Sequence, residues 1–89
     1  INYGYSNIKM KLKILAFGIT KDILGTSEKE LEVQEGLNVK QLKDKLENDF
    51  PQLIKLKSYF IAVNEEYAGD DQVITGTDEV AIIPPVSGG

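Results

Sequence analysis

The stretch LNVKQLKDKLENDFP, residues 37–51, decides the fold. Asn38 is a good helix N-cap, Gln41 stands three residues on to close a capping box, and Leu37 and Leu42 occupy the two positions of a hydrophobic staple. Val39, Leu42, Leu46 and Phe50 recur at spacings of three and four, an apolar stripe with lysines and acids around the rest of the cylinder. Pro51 stops the helix and pushes Phe50 out of the helical region. This pattern predicts one helix over 39–49.

On either side of it the apolar period shortens to two. KLKILAF (11–17) reads as a strand with Leu12, Ile14 and Ala16 on one face and Lys11, Lys13, Leu15 and Phe17 on the other. Gly18 and residues 22–27 supply turn chemistry, with a short helical turn around Ile23 and Leu24. KELEV (29–33) alternates with Leu31 and Val33 inward. Beyond the helix, residues 51–58 are a connection, and YFIAV (59–63) is an aromatic and β-branched strand. Asn64 and Glu65 form the tip of a tight turn, 66–68 a brief return, and 69–77 a loop. VAII (80–83) is the last strand, ended by Pro84 and Pro85, which cannot donate to a ladder. The plan is α+β: a mixed sheet of four to five strands with one main helix packed on one face. The helical crossover predicts that the last strand lies parallel to the first.

One helix covers one face. Leu15 and Phe17 on the first strand, with Ala81 and Ile83 on the last, fall on the other face together with Lys11, Lys13 and Glu79, which marks it as the solvent side. An apolar patch there, running on through Pro84, Pro85 and Val86, is expected to dock a partner. The alternative is that a loop or the N-terminal stretch covers it.

Composition narrows the chemistry. The 89 residues carry net charge −4, with no His and no Cys, and all ten basic residues are Lys. Disulfides, thiolate nucleophiles and cysteine or histidine metal sites are therefore excluded, along with the commonest general base. Arg, the best fork for phosphate or guanine, is absent and the lysines are scattered, so nucleic acid is not expected as a partner. Asp70, Asp71, Glu65 and Glu66 fall in turns and read as solvated. Asp70, Asp71 and Asp78 lack calcium-loop spacing, so no metal site is expected. No apolar run suffices to span a membrane, and the cytoplasm is the expected location. The sole Met is Met10. Residues 1 to 9 read as an appended or disordered extension, residues 10–83 as the domain, and residues 84–89 as a flexible tail.

That tail is the chemically distinctive feature. Two prolines stiffen the exit from the sheet, and the five residues from Pro85 to Gly89 span ~17 Å when extended. Gly88 and Gly89 present no side chain, so a terminal carboxylate on Gly89 can pass through a narrow channel into another protein's active site. A carboxylate can be activated as an acyl-adenylate and then attacked by a sulfur or nitrogen nucleophile. The bland reading is a frayed terminus with two incidental glycines.

The ending Pro84-Pro85-Val86-Ser87-Gly88-Gly89, preceded by Asp78-Glu79-Val80-Ala81-Ile82-Ile83, resembles the molybdopterin synthase small-subunit family, the MoaD group of ubiquitin-like sulfur carriers. Ile14–Phe17, Leu24-Gly25, Phe50-Pro51-x-Leu53 and Ala62-Val63-Asn64 extend the likeness over Met10 to Gly89. It implies a β-grasp fold and a division of labour in which this chain is not catalytic alone. An E1-like enzyme would use ATP to adenylate the carboxylate of Gly89, and sulfur transfer would make it a thiocarboxylate. The tail, with Gly88 giving clearance, would then enter the large synthase subunit and give sulfur to cyclic pyranopterin monophosphate. The assembly implied is a heterotetramer of two small and two large subunits. The resemblance also puts Ile83, Phe17 and the proline segment at partner contacts, in agreement with the open-face argument, so Leu15, Phe17, Ala81, Ile83, Pro84, Pro85, Val86 and Ser87 are the expected partner-binding residues. Lys21 falls where a basic residue helps bind the activating enzyme, and the chain itself would bind no cofactor. Ala16 and Ile83 depart from the family, standing where aromatics are frequent. Gly-Gly alone also fits carriers of the thiamine and tRNA-thiolation pathways, ubiquitin-like modifiers, and a plain β-grasp interaction module with an inert tail.

Overall fold

The computed structural model describes residues 8–56 and 58–85. The elements run β1 (Lys9–Ala16), α1 (Ile19–Leu24), β2 (Glu28–Gln34), α2 (Val39–Asp49), a 3-10 turn (Pro51–Lys55), β3 (Phe60–Val63), β4 (Glu66–Tyr67) and β5 (Val80–Ile83). They form one five-stranded sheet in the order β2-β1-β5-β3-β4. β1 and β5 are parallel, with Ile14 opposite Val80, as the crossover argument requires; the other pairs are antiparallel. Ubiquitin-like β-grasp architecture is therefore what the chain adopts.

The helix spans 39–49 with its capping box complete. The Asn38 side chain accepts from the Gln41 N–H, and Gln41 Oε1 accepts from the Asn38 N–H, both at 2.8 Å. The two helical N–H groups ahead of Gln41 are satisfied from far along the chain. Val39 donates to the Gln72 carbonyl (2.9 Å) and Lys40 to the Asp70 carbonyl (3.0 Å). The 69–77 stretch, which sequence marks only as loop, is thus a tertiary cap that meets the orphan donors every helix start carries. It is further tied down where Ile74, itself buried, donates to the Leu37 carbonyl at 3.0 Å.

The core lies between α2 and one sheet face. Val39, Leu42 and Leu46 of the helix meet Leu12, Ile14, Leu31, Val33, Ile61, Val63, Val80 and Ile82 of the sheet, and Leu37, Leu53 and Ile74 seal the ends. Residues 51–55 are a 3-10 turn rather than a plain connection. Pro51 suits the start of such a turn, and the fold drives Leu53 fully into the core. Tyr59 closes this side by donating its hydroxyl to Glu47, while the Lys43 ammonium sits 5.8 Å from its ring centre. Burial first, then the bond to Glu47, raises the Tyr59 phenol above its ordinary value.

One boundary is corrected. β1 begins at Lys9, and the Ile8 carbonyl accepts from the Glu35 N–H at 2.9 Å, so the end of the supposed 1–9 extension belongs to the sheet. The cause is pairing: β2 reaches to Gln34, whose partner across the ladder is Lys9.

Replacing the cap, Asn38→Ala, leaves the Gln41 N–H without its acceptor and is expected to cost about 1 kcal/mol. Urea unfolding should show the shift as a lower midpoint with unchanged slope.

Candidate docking face and tail exit

The sheet face turned away from α2 holds a groove of about 350 Å³ lined by Leu15, Phe17, Ala62, Glu65, Tyr67, Glu79, Ala81 and Ile83. Its floor follows from register. Leu15 of β1 and Ala62 of β3 both lie opposite Ala81 of β5, and Phe60 lies opposite Ile83, so these residues share a face. Phe17 is 49% exposed, Phe60 47% and Tyr67 72%, and the last two rings lean together with centres 5.4 Å apart. Among the described residues, no loop closes over the patch.

The four residues expected from β-alternation (Leu15, Phe17, Ala81 and Ile83) come together here. Lys21 does not: it is exposed on α1 and does not line the groove. Pro84 and Pro85 are half-buried where the chain leaves β5. Val86, Ser87, Gly88 and Gly89 lie outside the described residues. Ala62, Glu65 and Tyr67 line the groove without having been anticipated as site residues. The parity of 59–63 carried the signal for Ala62, whereas Tyr67 required knowing that the Asn64-Glu65 turn pairs it with Ala62.

The root of the tail is held by a local device. Thr20, fully buried, donates its hydroxyl to the Phe17 carbonyl (2.6 Å), with the Ile82 carbonyl as a longer acceptor at 3.3 Å, and accepts from the Phe17 N–H (3.0 Å). One hydroxyl therefore links the groove residue Phe17 to the last strand. Beside it, Gly18 has φ +56, and a Cβ there would come within 3.2 Å of the Pro84 ring. Glycine at 18 thus permits both the backbone conformation and the approach of the proline that starts the tail.

The opposite end of the groove is held by Asn64. Its N–H donates to the Glu79 carbonyl (2.7 Å), its Oδ1 accepts from the Glu79 N–H (2.9 Å), and its Nδ2 donates to Asp78 Oδ1 (2.9 Å). Asp78 Oδ2 accepts from the Thr75 N–H at 2.8 Å. That backbone bond, followed by the one from Asn64, holds the Asp78 carboxyl below its ordinary range. Among the described residues, no group of three or more Asp or Glu side chains gathers as a metal set, and no helix is long and apolar enough to cross a membrane.

One main helix on a mixed sheet, an open apolar face and a proline-led exit define a small ubiquitin-like β-grasp protein. The chain belongs to the ThiS family, whose model matches residues 14–89. It is 35% identical over 81 residues to a molybdopterin synthase sulfur carrier subunit of Arabidopsis thaliana, covering 90% of this chain and 84% of that one. To the subunit of the same name in Dictyostelium discoideum it is 38% identical over 84 residues, covering 89% and 96%. Among solved structures, a putative molybdopterin converting factor subunit 1 from Pyrococcus furiosus superposes with a TM-score of 0.75 at 26% identity, over 86% of this chain and 99% of that one.

Two measurements test the geometry. Gly18→Ala forces a side chain into left-handed backbone and against Pro84, and is expected to cost about 1 to 2 kcal/mol in thermal or urea unfolding. For Asp78 the native pKa is depressed, so its contribution is present above the unfolded pKa of about 3.9 and is lost as pH falls through the native value. Asp78→Asn should be less stable than wild type at pH 7, and the gap should narrow as pH drops below about 4.

Proposed function

We propose that this chain is the sulfur carrier subunit of a molybdopterin synthase, with the carboxylate of Gly89 as its working group. The carboxylate attacks the α-phosphorus of ATP in an E1-like enzyme, pyrophosphate leaves, and an acyl-adenylate forms. A sulfur nucleophile then displaces AMP to leave a thiocarboxylate. Docked on the large subunit, in an assembly of two small and two large chains, the tail gives that sulfur to cyclic pyranopterin monophosphate. The thiocarboxylate sulfur bonds to the substrate as a thioester, and water then cleaves the acyl carbon–sulfur bond, leaving sulfur on the substrate and returning the carboxylate for reloading. ATP is the activating enzyme's substrate, and this chain holds no cofactor of its own. The reading places the cycle in the cytoplasm.

The observation that carries it is the continuity of groove and tail. Ile83 lines the open face, and the next residue, Pro84, packs at Gly18, so a partner seated on the groove holds the root from which the tail departs. Leu15, Phe17, Ala81, Ile83, Pro84 and Pro85 are then contact residues. Val86, Ser87 and Gly88 form the thread that enters the partner's site, and Lys21 serves the activating enzyme.

Incubation with the activating enzyme, ATP and a sulfur donor should raise the intact mass by about 16 Da, one oxygen replaced by sulfur. Removing Gly89 or adding one alanine after it should abolish that shift while leaving unfolding unchanged. Isopeptide adducts on other proteins' lysines, in place of the mass shift, would assign the chain to the modifiers instead.

A further inference from the structure

Charges on the open sheet face are distributed unevenly. Over β1 and β2 they are neutralised in cross-strand pairs, Lys11 with Glu30 and Lys13 with Glu28, each at 3.9 Å. Over the apolar groove they are not. Glu65 and Glu79 line it, no lysine does, and neither carboxylate joins an ion pair among the described residues.

Glu65 also stands against local propensity. Asn64 and Glu65 form the two-residue connection between β3 and β4 with φ +52 and +70, the geometry of a type I′ turn, in which the second position favours glycine. A side chain held in left-handed backbone is a local cost, and such costs gather at functional positions. Here the strained residue is the one that puts a carboxylate beside the groove. Asn64, bonded to the backbone of Glu79 on both sides, fixes the two acids in one frame.

A partner that seats on the groove excludes water from both acids, and an ionised carboxylate desolvated without a cation is strongly unfavourable. We propose that this face selects a partner whose apolar contact is bracketed by lysine or arginine side chains, which pair with Glu65 and Glu79. The proposal rests on the docking reading above and adds the chemistry of the opposing surface. A second copy of this chain is a poor occupant, because it would bring the same unpaired acids against these. Glu66 supplies the internal comparison: it lies opposite Val63, which faces the core, and so projects from the other side of the same turn.

The test is association of the untagged chain with the purified large synthase subunit of the same organism, in about 50 mM and about 500 mM NaCl. Glu65→Lys and Glu79→Lys should each slow association roughly 5-fold or more in the dilute salt, with the effect shrinking toward about 2-fold in the concentrated one. Glu66→Lys, with the same change in net charge as either, should alter the rate less than about 2-fold. Glu65→Gly relieves the backbone strain, so it should leave the thermal midpoint unchanged or raise it by up to about 5 °C while still slowing association. Equal effects of Glu65→Lys and Glu66→Lys, an absence of salt dependence, or stable self-association of the wild-type chain through this face would each overturn the proposal alone. Wild-type chain that does not bind the large subunit overturns the carrier reading, and this proposal with it.

Discussion

An eleven-residue helix packed across a five-stranded sheet shields one face and leaves the other in water. The groove and the exit of the chain from β5 both follow from that asymmetry. Val39, Leu42 and Leu46 use up the helix's apolar stripe against the inner face, so nothing remains to cover Leu15, Ala62, Ala81 and Ile83 on the outer one. The parallel pairing of β1 with β5 in the middle of the sheet then brings the chain's first and last strands together. The open face and the departure of the tail end up at one place.

Two small polar devices bracket that face. At the exit, the Thr20 hydroxyl joins the Phe17 loop to Ile82, and Gly18 leaves room for Pro84. At the far end, Asn64 clips the β3–β4 turn to the start of β5 through its backbone and both polar atoms of its side chain. Among the described residues, no buried side-chain nitrogen or oxygen lacks a partner, so the hydrogen bonds of the buried Thr20 hydroxyl offset the cost of taking it out of water. They also hold the groove's shape where the floor consists of small residues, Ala62 and Ala81, that cannot lock it by packing alone.

The family likeness extends through the tail, but it does not explain why the acids around the groove stand where they do. Glu28 and Glu30 are held against lysines on the neighbouring strand, an arrangement that suits solubility and edge protection. Glu65 and Glu79 have no such neighbour. The same residue type on the same sheet face thus serves two ends, separated by whether a lysine lies within reach.

Sequence alone determined the helix with its cap at Asn38, the inward residues of β1 and β2, and the outward face shared by Leu15, Phe17, Ala81 and Ile83. Each of these follows from a period or spacing confined to a few neighbouring residues. It also marked the tail, through the order of prolines and glycines. What only the tertiary structure decided were the contacts between segments distant along the chain. The 69–77 loop supplies Asp70 and Gln72 carbonyls to the start of α2, β2 recruits Lys9 into the ladder with Glu35 bonding the Ile8 carbonyl beyond it, and the connection after α2 becomes a 3-10 turn that buries Leu53. Tyr67 and Glu65 join the groove only once the turn's register is known. Register and capping across the fold are settled by which backbone groups find partners in three dimensions, and no local pattern of side chains encodes that.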